Sequence, residues 1–120
     1  MASGADPRLL FSAVTMLETM MSIIHILKGP AMTKYYRSKD GGSIFKFGFA
    51  PEGDHIAIYC LAHPPLDARD PDPNKTHLFS SGKVCFVAGR EPRDQSRAEE
   101  LGQQWAEYFL EYRRTGIAQR

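Results

Sequence analysis

The stretch SIFKFGFAPEGDHIAIYCLA, Ser43 to Ala62, decides the fold. Phe45, Phe47 and Phe49 fall at alternate positions, so an extended strand turns three aromatic rings toward one face. PEGD (Pro51–Asp54) then turns the chain. In HIAIYCLA, Ile56, Ile58 and Cys60 share one face, while Ala57, Tyr59 and Leu61 share the other. Apolar residues on both faces predict the central, best-buried strand. Upstream, TKYYR (Thr33–Arg37) reads as a short strand and SKDGG (Ser38–Gly42) as the turn that follows it. These segments spell an antiparallel meander.

Helices are expected at both ends of the meander. Between Leu9 and Leu27, the residues Leu10, Val14, Leu17, Met21 and Ile24 recur at steps of four and three, the spacing of one helical face. Asp6-Pro7 supplies an N-cap and a first-turn proline, and Gly29-Pro30 supplies the stop. Glu18 and His25 interrupt the apolar run, which argues for an amphipathic helix over a signal peptide or a spanning segment. A helix this apolar also offers a surface to a partner, a second copy of the chain included. At the other end, Ser96 and Glu99 form a capping box, with Asp94 as an alternative cap. The closing helix runs to about Arg114 and buries Leu101, Trp105, Tyr108 or Phe109, and Tyr112, before Thr115-Gly116 ends it. The fold class is α+β: an N-terminal helix over residues 1–30, then a core over 31–120 with a meander of three to four strands, an active-site loop and a C-terminal helix. Both parts belong to one domain.

Composition excludes several classes. Fifteen basic residues against fourteen acidic ones, scattered along the chain, leave no footprint for nucleic acid. Two cysteines cannot build a disulfide framework. A reduced, cytoplasmic domain without a membrane segment fits this count; a Cys60–Cys85 bridge in a secreted chain is the alternative.

From His63 the pattern breaks. HPPLDARDPDPNKT holds four prolines and three aspartates in fourteen residues, which no strand interior tolerates. Long irregular segments inside small domains are often functional. This one leads into THLFSSGKVCFVAG (Thr76–Gly89), where Cys85 follows a Gly82 turn and His77 lies upstream. Cys60 shares strand parity with Ile56 and Ile58 and reads as a small core hydrophobe. Cys85 is either an inward-packed strand residue or a reachable nucleophile. His55, Cys60, His63, His77 and Cys85 are all zinc-ligand types, but no CxxC or second tight pair accompanies them, so no metal is assigned. No hydrolase triad and no phosphate-binding glycine loop is spelled out, so no cofactor is assigned either.

The order of features resembles a ubiquitin-conjugating enzyme: helix, meander, Pro64-Pro65, long loop, His77, then Gly82-x-Val84-Cys85-Phe86, then a helix. It is closer to the family's bacterial branch, whose segment tends to read His-Leu-Tyr-x-x-Gly-x-Leu-Cys-Leu and whose late helix ends in Tyr-Glu-x-Trp-x-x-Thr-Gly. His77-Leu78-Phe79 and WAEYFLEYRRTG (Trp105–Gly116) look like versions of those. The resemblance spans roughly residues 33–116. It implies that Cys85 forms a thioester with the C-terminus of a ubiquitin-like modifier or a target protein and passes it to an amine. It implies that His77 stands where eukaryotic members carry the Asn of a His-Pro-Asn motif, as hydrogen-bond donor or neutral base. An activating enzyme, and in anti-phage defence a nucleotide-second-messenger synthase as target, are the implied partners. The family's fourth strand would fall in DARDPDPNKT, so a three-stranded sheet or a degraded edge is expected. A catalytically inactive member of this fold, serving as a protein-binding module, is the alternative.

Overall fold

Alternation and turn chemistry produce the sheet. The computed structural model describes residues 32–87 and 89–119. Strands β1 (Met32–Arg37), β2 (Ile44–Glu52) and β3 (His55–Ala62) form an antiparallel meander in the order β1-β2-β3. A single-turn helix α1 (Pro73–Thr76) and a long helix α2 (Gln95–Thr115) follow. The architecture is α+β: a three-stranded meander closed by a C-terminal helix. The helix expected between Leu9 and Leu27, with its partner surface, lies outside the described residues. No described helix is long and apolar enough to cross a membrane.

The central strand is β2, not β3 as its two apolar faces suggested. Both connections are hairpins, the first through a six-residue loop over 38–43, so spatial order follows chain order. Glu52 pairs with His55 across a two-residue Gly53-Asp54 turn, in which Gly53 takes φ +67°. The second face of β3 is only partly covered, Leu61 standing 50% exposed, but a later segment pairs with its outer edge. Cys60 N donates to Gly82 O at 2.7 Å, and Val84 N donates to Ile58 O at 2.8 Å.

One face of the sheet meets α2. Phe45, Phe47 and Phe49 are buried there, in register with Cys60 and Ile58 of β3. The facing stripe of α2 is Ala98, Gly102, Trp105, Phe109 and Tyr112, at alternating steps of four and three. Leu101, expected in that stripe, is only half-buried at its flank. Small residues take its place because the helix approaches closely: a Cβ on Gly102 would lie 3.7 Å from Ile58 Cγ2 and from the Phe47 ring. Lys34 and Tyr36 of β1 reach across to Glu99 and Glu107, the second at 2.5 Å.

The N-cap of α2 is Asp94 alone. Its Oδ1 accepts from Arg97 N at 2.8 Å, and the Ser96–Glu99 capping box does not form, because both residues already lie inside the helix. Gly116, in the left-handed region at φ +74°, closes the other end by donating its N–H to Tyr112 O at 2.7 Å. Asp94→Ala is expected to lower stability by about 1 kcal/mol, read from urea unfolding.

Candidate active site

The proline-rich stretch holds its place because α2 takes up its carbonyls one after another. Tyr112 Oη donates to Asp70 O at 2.8 Å, Tyr108 Oη donates to Lys75 O, and Trp105 Nε1 donates to Thr76 O at 2.9 Å. Arg69 returns the contact, donating to the Arg113 and Arg114 carbonyls at 3.0 and 3.1 Å, where the last turn of α2 has spare acceptors. Among the described residues 63–76 no strand forms. Instead Asp72 caps α1, its Oδ1 accepting from Asn74 N at 2.8 Å with Pro73 in the first turn. An Asp-Pro pair is a helix-start signal, and Asp72-Pro73 carries it inside the otherwise irregular stretch.

His77 ends α1 in the left-handed region, φ 57° and ψ 32°. A histidine tolerates this conformation better than a β-branched residue would. The chain then forms a small hairpin. Gly82 N donates to Phe79 O and Phe79 N donates to Lys83 O, both at 2.9 Å, with Gly82 at φ +92°. That is a type I turn followed by a glycine bulge. Three contacts dock the returning arm on the sheet: the two backbone bonds to β3 at Gly82 and Val84, and Lys83 Nζ on Glu52 Oε1 at 2.7 Å. Tyr59 Oη donates to the other oxygen of Glu52 at 2.6 Å. Burial, helped by this acceptor, pushes the Tyr59 phenol up to about 12.

The two residues singled out for chemistry are joined through their backbones: Cys85 N donates to His77 O at 2.8 Å. Val84 is buried, whereas Cys85 is half-buried and a free thiol. Burial raises its pKa above the ordinary cysteine value. The His77 ring lies against Tyr108, centroids 5.0 Å apart, and its Nε2 meets Gln119 O at 2.8 Å. Cys60 differs sharply. It is 7% exposed, its Sγ donates to Ala62 O at 3.4 Å, and burial pushes its thiol up to about 12. Iodoacetamide should therefore modify Cys85 at least tenfold faster than Cys60 in the folded protein, read by mass of digested peptides. Equal rates would remove the distinction.

The other zinc-ligand types lie apart. His55 sits at the β2–β3 turn with Nδ1 3.5 Å from Asp54 Oδ1, and His63 has Nδ1 2.7 Å from Pro64 O and its ring on Phe109. Among the described residues no three His, Cys, Asp or Glu side chains gather as a metal would require.

One feature had no clear signal in the sequence. A cleft of about 900 Å³ opens between the end of β3, the proline-rich segment and the hairpin. Leu61, Leu66, Leu78, Phe79 and Phe109 line it, with Cys60 in its wall; neither Cys85 nor His77 does. The pair Pro64-Pro65 with Leu66 marked the segment but not the concavity. No family model, no curated protein and no solved structure matches the chain.

Proposed function

We propose that the chain is a ubiquitin-conjugating-like acyl transferase with Cys85 as the acyl carrier. The observation that carries this reading is the hydrogen bond from the Cys85 amide to the His77 carbonyl. It ties the backbone of a residue with a half-exposed, free thiol to the backbone of an imidazole-bearing residue. In the first step Cys85 Sγ loses its proton and attacks the carbonyl of an incoming thioester; the donor's sulfur leaves and takes up a proton. In the second step an amine attacks the Cys85 thioester. An amide forms, the carbon–sulfur bond breaks, and the Cys85 sulfur is reprotonated by the proton the amine gives up. Thioester aminolysis asks for little beyond position and a polar partner, because sulfur leaves well.

Burial holds the Cys85 thiol above the ordinary cysteine value, so it must give up its proton before it attacks, and binding of the donor has to favour the thiolate. The partners in this reading are a ubiquitin-like modifier or target protein with an activating enzyme, in the bacterial cytoplasm and in anti-phage defence. A second reading rests on the cleft, which neither Cys85 nor His77 lines. In it the same fold is an inactive module that binds a partner's apolar side chains.

The test is to incubate the chain with modifier, activating enzyme and ATP, and to look for an adduct on a non-reducing gel. Under the first reading the adduct forms and a thiol reductant removes it. An intact cleft with no adduct for any cognate pair moves the assignment to the binding module.

A further inference from the structure

Beyond Gly116 the chain folds back over the site rather than away from it. The tail keeps its side chains in solvent, and Ile117 is 70% exposed. Its backbone, however, is engaged at three points. Ile117 N donates to Thr115 Oγ1 at 3.1 Å, and Gln119 N donates to Tyr108 Oη at 3.3 Å. The Gln119 carbonyl faces His77 Nε2 at 2.8 Å. Tyr108 is the hub: its hydroxyl gives its proton to Lys75 O and receives one from Gln119 N, while its ring supports the imidazole. A closed circuit thus joins residues 75, 77, 108 and 119.

A carbonyl oxygen only accepts hydrogen bonds, so the nitrogen facing it must carry the proton. In the neutral ring that leaves the lone pair on Nδ1. We infer that residues 117–119 are a positioning segment that holds His77 in its Nε2–H tautomer and fixes the plane of its ring. This rests on the reading of Cys85 and His77 as the transfer site, and it assigns His77 a role there. With the tail docked, Nε2–H is already spent, so His77 meets the reaction as an acceptor through Nδ1, not as an oxyanion donor through Nε2. The segment acts through backbone atoms, so its length and path matter more than its side chains. Gly116 sets that path: its φ of +74° turns the tail, and a Cβ there would lie 2.8 Å from Arg69 Nη1.

The experiment compares the full chain with a chain ending at Gly116 and with Tyr108→Phe, which keeps the ring under His77 but removes the hydroxyl. Long-range proton–nitrogen NMR of the unloaded proteins reads the His77 tautomer. The full chain should show pure Nε2–H, and both variants should show averaged signals of two exchanging tautomers. In parallel, discharge of the Cys85 thioester to a small amine should slow about tenfold in the truncated chain, with its urea midpoint unchanged. The imidazole signal needs no thioester, so it decides the inference even if Cys85 carries none. An Nδ1–H form in the full chain, or an identical His77 spectrum after truncation, overturns it.

Discussion

Trp105→Ala is expected to cost about 5 kcal/mol of unfolding free energy, enough to bring a domain of this size to the margin of stability. Two losses add. The indole sits edge-on to Phe45 and Phe47, with centroids 6.0 Å away in each case, and against Phe109 at 5.3 Å. Removing it opens a cavity at the contact between sheet and helix, worth about 3–5 kcal/mol. It also strands the Thr76 carbonyl, which otherwise receives the indole N–H in a buried setting. Trp105→Phe keeps most of the ring volume and loses the donor, so about 2 kcal/mol is expected. Trp105 is the chain's single tryptophan, so urea unfolding is followed by far-UV circular dichroism. The site should loosen with the fold, because Thr76 immediately precedes His77. A Trp105→Ala protein as stable as the parent would mean that α2 does not hold this segment.

The sheet was legible because alternation is a local property. Phe45, Phe47 and Phe49 name their own face, and Ile56, Ile58 and Cys60 pair with it in register. Which strand lies in the middle was not legible from hydropathy. The outer edge of β3 is paired by the Gly82–Val84 arm, some twenty residues later in the chain, and no window on HIAIYCLA contains that arm. The Ser96–Glu99 pattern matched a capping box, but Asp94 came first and took the helix start. Gly102 was invisible as a core residue, because its contribution is the absence of a side chain. The placement of Cys60 in the core followed from parity. The joining of Cys85 to His77, the circuit through Tyr108 and the cleft depend on how a proline-rich segment lies across α2. Those contacts are long-range and backbone-directed, and such contacts leave almost no trace in residue types.

The second large effect concerns the thiol. Cys85→Ala should abolish acyl transfer, because the other cysteine, Cys60, is buried, and its stability should change by less than about 1 kcal/mol at this half-buried position. Cys85→Ser should keep a single turnover at best: an alkoxide is a far poorer leaving group than a thiolate, so the loaded form persists as an ester that reductant does not cleave. Cys60→Ser should load normally while losing stability, since it places a hydroxyl among Phe47, Ile58 and their neighbours. His77→Ala should reduce transfer more than stability, its ring being half-exposed and held by one neighbour and the tail.

All of this turns on where the acyl group sits. Loaded wild-type protein, digested under acidic non-reducing conditions and mapped by mass spectrometry, should carry the modifier's C-terminal remnant on the peptide containing Cys85, and reductant should release it. A remnant on Cys60, on a lysine that resists reductant, or on Cys85→Ala protein to the same extent would show that Cys85 is a packed residue and not the carrier.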